Sequence, residues 1–156
     1  MSGARHAIEA FSGTRLRELR RQRGLSQEQL ARLVVAGSDR PAGDGAVSRE
    51  RLKILAYEQG TRRPRAEGLH ALAAALGVDA RDLLDPAAPV TFELLRALRR
   101  LTQGQVAVQL GVSQARYSQL ESGAAPIDPA RRDQLARILG ITAAELQRLR
   151  PSREQE

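Results

Sequence analysis

Residues 101–123, LTQGQVAVQLGVSQARYSQLESG, constrain the fold of this chain more than any other segment. Thr102 offers a hydroxyl that can cap the first amides of a helix starting at the next residue. Gly111 follows the apolar stripe of that helix and can adopt the positive φ that a tight turn requires. Ser113 can cap a second helix, whose inward positions are Tyr117 and Leu120. The pattern predicts two short helices joined by a four-residue turn, the second with a polar outer face.

This segment resembles the DNA-binding motif of the phage repressor and Cro (XRE-type) family, since it matches QxxVAxxLGVSQxxxSxLExG without a gap. The resemblance implies a helix-turn-helix whose second helix docks in the major groove of DNA. A glutamine amide can form two hydrogen bonds with adenine, and an arginine can do the same with guanine. The alternative interpretation of these glutamines is that they are ordinary solvated side chains on a helix surface. The residues predicted to read bases are Gln103, Gln114, Ala115, Arg116 and Gln119. Those predicted to contact phosphates here are Thr102, Ser113 and Ser118.

An internal repeat extends the motif over most of the chain. Residues 25–27 (LSQ) match residues 101–103 (LTQ) at an offset of 76 residues, and Glu58-x-Gly60 matches Glu121-x-Gly123 at an offset of 63. Residues 72–78 also match residues 135–141 at the offset of 63. A repeat of this kind indicates copies of one structural unit. The sequence therefore predicts an all-α fold of two tandem, five-helix, lambda repressor-like DNA-binding domains.

The predicted domain boundaries follow from the repeat and from proline and glycine placement. Residues 1–12 are expected to be a flexible lead-in, and α-helical structure is expected to begin after a cap at Thr14. The first domain spans residues 13–85, a Pro/Ala linker residues 86–90, the second domain residues 91–150, and a polar tail residues 151–156. In the first helix of each copy we expect the leucines to face inward and the arginines, including Arg20 and Arg96, to face outward.

The two offsets differ by 13 residues, which places an insertion near residues 37–47, inside the first copy of the motif. Its glycine, proline and aspartate content favours a flexible loop, with the following helix starting at Ser48. That helix is either a DNA-contacting helix or a scaffold or dimerisation helix. Basic and polar groups of the first copy are predicted to contact phosphates, which position a protein without reading sequence. They are Ser26, Gln27, Arg49, Arg51, Lys53, Arg62, Arg63 and Arg65.

Composition narrows the function classes. The net charge of +7, carried by 25 basic residues of which only Lys53 is a lysine, suits a polyanionic partner. Without cysteine there is no disulfide framework or thiolate metal site, and no apolar run reaches the roughly 18 residues of a membrane span. No catalytic, cofactor, metal or small-molecule site is expected, and we therefore do not expect the chain to be an enzyme. We predict a cytoplasmic, nucleoid-associated bacterial transcriptional regulator, most often a repressor in this family, that binds double-stranded DNA.

The alternative is a protein–protein adaptor, in which repressor-like folds mediate dimerisation or bind another regulator. The polar outer face of residues 114–119 favours DNA, because the core of a protein interface is depleted of charged residues and enriched in aromatic ones. A homodimer or a partner regulator remains compatible with either class.

Overall fold

The computed structural model describes residues 7–149, whose regular secondary structure is helical apart from isolated β-bridges such as Ala7–Arg65 and Phe11–Leu84. The described chain divides into two units, residues 7–88 and residues 89–149, called here the first and the second domain. The predicted all-α fold with two tandem domains is therefore confirmed. Residues 1–6 and 150–156, which include the predicted polar tail, lie outside the described residues.

The first domain contains four α-helices and a short 3-10 helix. They are α1 (Gly13–Gln22), α2 (Gln27–Ala36), α3 (Ala46–Gln59), α4 (Ala66–Leu76) and the 3-10 helix Ala80–Leu83. Its core is built from aliphatic side chains, as the scarcity of aromatic residues requires. The most fully buried of them are Leu16, Leu30, Ile54, Leu69, Leu72, Leu76 and Leu83.

The second domain repeats this order with five α-helices. They are α5 (Phe92–Leu98), α6 (Gln103–Leu110), α7 (Gln114–Ser122), α8 (Pro129–Leu139) and α9 (Ala143–Arg148). Tyr117 and Leu120 of α7 are buried against α5, α6 and α8, as the sequence predicts. The equivalent positions in α3, Ile54 and Tyr57, are buried in the first domain.

Side-chain caps fix where these helices begin. Ser26 and Thr102 form capping boxes at the starts of α2 and α6. In each box the cap hydroxyl accepts from the backbone amide of the third helical residue, Gln29 or Gln105. The side-chain oxygen of that glutamine accepts in turn from the backbone amide of the cap residue. Gly111 ends α6 at φ 76°, the left-handed conformation expected of the turn. The motif of the second domain thus has only residues 111–113 between its two helices.

The first domain begins earlier than predicted. Ser12, not Thr14, caps α1, and its hydroxyl accepts from the Arg15 amide. Residues 7–12 of the expected lead-in pack on the domain. The side chains of Ile8 and Phe11 are buried, and the Phe11 ring meets the Tyr57 ring edge-on, with 5.8 Å between the ring centroids. The first domain, as the structure describes it, therefore includes residues 7–12, which the expected boundary at residue 13 leaves out.

The insertion of the first copy is more helical than expected. Two of its 13 residues lengthen α2, six lengthen the connecting loop, and five extend α3 at its N-terminus, relative to α6 and α7. The helix therefore begins at Ala46 and not at Ser48. Gly45, in the left-handed conformation and without a side-chain cap, makes this early start possible. The loop itself is reduced to residues 37–45.

Candidate nucleic-acid interface

A buried ion pair joins α5 to the helix that the sequence predicts to read bases. Nε and Nη2 of Arg96 each lie 2.9 Å from a carboxylate oxygen of Glu121, and Nη1 donates to the Leu101 carbonyl at 3.0 Å. Arg96 is 1% exposed, so the expectation that it faces outward is wrong. The free-energy cost of burying the charged Arg96 guanidinium is reduced, because the Glu121 carboxylate and the Leu101 carbonyl accept its hydrogen bonds.

The first domain contains the same pair at the equivalent positions. Nε of Arg20 donates to Oε1 of Glu58 at 2.9 Å, and Nη2 lies 2.7 Å from the same oxygen. Nη1 donates to the Leu25 carbonyl at 2.8 Å. The Arg20 side chain is 11% exposed and that of Glu58 is fully buried, so Arg20 also faces inward, contrary to expectation. The signal was present in the sequence: both arginines repeat at the offset of 76 and both glutamates at 63.

The outer face of α7 carries four of the side chains predicted to read bases. Gln114, Ala115, Arg116 and Gln119 are all exposed. Ser113 begins the helix, with its hydroxyl accepting from the Arg116 amide at 3.1 Å. A Cβ built on Gly104 would lie 3.3 Å from Oε1 of Gln114, so the absence of a side chain on α6 leaves room for this amide.

The corresponding face of α3 differs in shape and chemistry. Arg51, the equivalent of Gln114, is half-buried, and Leu52, the equivalent of Ala115, is 56% exposed. Nη1 of Arg49 donates to the Asp44 carbonyl at 3.2 Å, and the Lys53 ammonium lies 3.7 Å from the Glu50 carboxylate. Two of the three basic groups predicted here as phosphate contacts are therefore engaged within the domain.

The loop after α3 holds the arginine cluster formed by Arg62, Arg63 and Arg65. All three side chains are exposed, whereas Pro64 between them is buried. The Ile8 amide donates to the Pro64 carbonyl at 2.8 Å, and Ala7 forms an antiparallel bridge with Arg65. Because these backbone contacts hold the loop in place, the three arginine side chains extend from a fixed backbone.

Comparison with known protein families matches both domains. Residues 13–88 match one family model and residues 90–149 another, and each model describes a helix-turn-helix domain. The chain is a tandem pair of helix-turn-helix domains of the phage repressor and Cro type. No curated protein and no solved structure was found to match it. Helix-turn-helix domains are DNA-binding modules, so the chain has the parts of a DNA-binding regulator.

The first glutamine of each helix-turn-helix motif, Gln27 or Gln103, forms a hydrogen bond inside its own domain. Nε2 of Gln27 donates to Glu58 at 2.6 Å, and Nε2 of Gln103 donates to Glu121 at 3.3 Å. With this hydrogen bond in place, Gln27 has one amide N–H left to donate to a phosphate, and Gln103 has one N–H and its amide oxygen left for a base edge. The geometry favours a positioning role for both residues.

The helix-turn-helix hydroxyls predicted to contact phosphates are distributed around the helix starts. Ser26, Thr102 and Ser113 are exposed caps that accept from backbone amides, which leaves each hydroxyl proton free to donate. Ser118 is half-buried. The structure brings Thr102 and Ser113 to the N-termini of the two helices of one motif, where the helix dipole favours an anion.

The second helix-turn-helix domain lacks an arginine cluster in the loop after α7. Arg131, a residue whose charge could compensate, donates instead to the Leu110 carbonyl at the end of α6. Gln134 adds a hydrogen bond to the Gln109 carbonyl at 2.6 Å. These contacts tie α8 to the end of α6 and leave Arg132, half-buried, as the remaining basic group next to that loop.

Within residues 7–149, no helix is long and apolar enough to cross a membrane.

Proposed function

We propose that the chain is a sequence-specific transcriptional regulator that docks α7 in the major groove of DNA. Gln114, Arg116 and Gln119 read base edges, and Ala115 allows close approach or contacts a thymine methyl group. The observation that carries the proposal is the exposed polar face of α7 on a helix that the buried Arg96–Glu121 pair fixes in place. Rigid placement matters because base readout depends on hydrogen-bond geometry.

Phosphate contacts come from both domains. In the second domain Thr102, Ser113 and Ser118 meet the backbone next to the groove that α7 enters, whereas Gln103 positions Glu121. In the first domain Arg62, Arg63 and Arg65 provide the main contacts, and Ser26, at the start of α2, adds one. Arg51 also contributes, as do Arg49 and Lys53 once they leave Asp44 and Glu50. These groups supply affinity that falls steeply with salt, because bound cations leave the DNA as arginines replace them.

The two domains act as one covalent binder with two attachment points. The linker expected at residues 86–90 is shorter than its prolines suggest, because a turn in which the Ala88 amide donates to the Asp85 carbonyl at 3.0 Å includes residues 85–88. Pro89 and Val90 remain as the connection, which at about 3.1 Å per residue spans roughly 6 Å. A domain of this size has a diameter of roughly 28 Å, and successive turns of one groove lie about 34 Å apart. One chain can therefore reach neighbouring grooves, and it would repress a promoter by covering it.

Selection of bound duplexes from a random DNA pool tests the proposal. We expect an enriched sequence that the full chain binds in a mobility-shift assay well above scrambled DNA at about 150 mM salt. The Gln119→Ala substitution should reduce that preference by about 5- to 150-fold, the range for one base contact. Gln147→Ala, which removes an exposed glutamine from α9, should leave the preference unchanged. Equal binding to selected and scrambled DNA would contradict the proposal.

An adaptor function is the second candidate, and one observation favours it. Leu33 of α2 is 43% exposed and Leu52 of α3 is 56% exposed, so the first domain presents apolar groups where a DNA reader would be polar. An adaptor predicts that the Leu33→Ser and Leu52→Ser substitutions abolish regulation while DNA affinity is preserved. The DNA-binding proposal predicts that regulation follows DNA affinity in every variant.

A further inference from the structure

We propose that the DNA target of this chain is asymmetric, with one base-specific segment read by α7 next to a duplex segment that the first domain binds whatever its sequence. This inference rests on the proposed function and specifies its substrate. Two identical readers would require a repeated or palindromic site. A chain with one reader and one backbone-binding domain requires only a single specific segment with duplex DNA on one side.

The length of α3 is the first argument. A recognition helix presents its N-terminal residues to base edges. In the second domain α7 begins at Gln114, whereas α3 begins five residues before Arg51, the equivalent position. Five helical residues add about 7.5 Å, and the major groove is about 8.5 Å deep. If the first domain docked as the second does, the extension and its loop would occupy the space that the DNA needs.

The groups on α3 are the second argument. Glu50 occupies the position of Ser113, so a carboxylate replaces a hydroxyl where the helix would approach phosphates. This carboxylate holds the Lys53 ammonium at 3.7 Å. Ala56 replaces Gln119 and cannot donate or accept a hydrogen bond from its side chain. The face therefore lacks the amide pairs that discriminate adenine, and its basic groups suit contacts with phosphates, which carry no sequence information.

The arginine cluster is the third argument. Arg62, Arg63 and Arg65 are exposed, and within residues 7–149 none of them forms an ion pair. A guanidinium binds phosphate oxygens at any base sequence, and such contacts position a protein without informing it of sequence. The loop is pinned by the Ile8–Pro64 hydrogen bond, so less of its freedom is lost on binding.

The decisive experiment maps base preference over the whole bound duplex. A duplex of about 30 bp enriched from a random pool is changed one base pair at a time, and binding of the full chain is measured by competition. We expect effects of about 5- to 150-fold per pair within one run shorter than a helical turn of about 10 bp. On one side of that run, deleting duplex should weaken binding, whereas replacing it with unrelated sequence should have no effect.

Two variants assign the run to a domain. Gln114→Ala should remove the preference at the base pair that Gln114 contacts, and Leu52→Ala should leave the map unchanged. A second run of preference about one turn away that disappears with Leu52→Ala would overturn the inference while leaving the proposed function intact. A flat map for the unaltered chain would overturn the proposed function and this inference together.

Discussion

Arg96 meets Glu121 through two parallel hydrogen bonds of 2.9 Å, although both residues are almost fully buried. The first domain has an equivalent pair, Arg20 and Glu58, in which both guanidinium nitrogens approach one carboxylate oxygen. Each pair joins the first helix of its domain to the C-terminal turn of the third. The pair in the second domain therefore sets the orientation of α7, the helix to which we assign base recognition.

Removing one member of the buried pair should strongly destabilise the second domain. We expect Arg96→Met to lower its free energy of unfolding by about 3–5 kcal/mol, because Glu121 is left as a buried charge without its cation. The Arg96→Met/Glu121→Leu double variant should recover most of this loss. Denaturant unfolding followed by circular dichroism measures both effects.

The matched control for this substitution is Arg32→Met. Arg32 forms an ion pair of 2.7 Å with Glu28 on the surface of α2, where the two side chains are 65% and 54% exposed. Exposed pairs of this kind contribute at most about 1 kcal/mol. If Arg32→Met lowered the free energy of unfolding as much as Arg96→Met, burial could not be the reason for the large effect at Arg96.

Gly104→Ala should change stability and base preference in opposite directions. Alanine favours a helix over glycine by about 1 kcal/mol, so the melting temperature of the second domain should rise. The new Cβ would lie 3.3 Å from Oε1 of Gln114 and displace that amide by a few tenths of an ångström. We expect preference for the selected DNA to fall by less than it does with Gln114→Ala. Calorimetry and DNA competition on the same samples check this.

Much of the fold could be predicted because local signals agree with tertiary structure. Thr102, Gly111 and Ser113 have the capping and turn roles expected from their chemistry. The inward positions Tyr117 and Leu120 follow from helical periodicity alone.

The errors share a physical cause. Helical periodicity counts a charged side chain as outward, so Arg20 and Arg96 were expected at the surface, although long-range partners bury both. The cap at Ser12 and the early start of α3 also depend on packing that neighbouring residues do not reveal. The base- and phosphate-contact assignments, for their part, remain predictions until DNA is bound.

Arg100→Gly should stabilise the second domain by about 1 kcal/mol. Arg100 has φ 57°, the only non-glycine residue with positive φ among residues 7–149, and the equivalent residue of the first domain is Gly24, with φ 68°. Glycine removes the steric cost of the left-handed conformation. Arg99→Gly is the control, since φ is −86° there and glycine should cost about 0.5–1 kcal/mol. Equal effects of the two substitutions in thermal unfolding would refute the explanation.

Both tyrosines should make the chain less stable in alkali. Burial raises the pKa of Tyr57, against the opposing charges of Arg62 and Arg65. Burial also raises the pKa of Tyr117, and the negative charge of Glu121 adds to it. Because the unfolded chain releases these protons from about pH 10 while the folded chain keeps them, the free energy of unfolding is unaffected below pH 10. Above it, each tyrosine lowers the free energy of unfolding, by at most about 1.4 kcal/mol per pH unit, until the pH reaches its raised pKa.

Phenylalanine variants isolate this effect. Tyr117→Phe should remove the alkaline loss of the second domain, and Tyr57→Phe that of the first, in urea titrations between pH 9 and 11. An unchanged pH slope in both variants would assign the alkaline loss to other groups.

The central claim is that base reading and backbone binding belong to different domains of one chain. The most direct test measures affinity for selected and scrambled DNA as a function of salt in three proteins: the unaltered chain, Gln119→Ala, and the triple variant Arg62→Ala/Arg63→Ala/Arg65→Ala. A triple Arg21→Ala/Arg40→Ala/Arg81→Ala variant, which removes the same charge from exposed positions of the first domain, is the control.

We predict that Gln119→Ala lowers the ratio of selected to scrambled affinity and leaves the salt dependence unchanged. The triple variant in the arginine cluster should reduce the slope of log affinity against log salt by about 2–3 and leave the ratio unchanged, whereas the control triple should reduce the slope much less. Failure of either the glutamine or the cluster variant to weaken the same DNA complex would contradict the account.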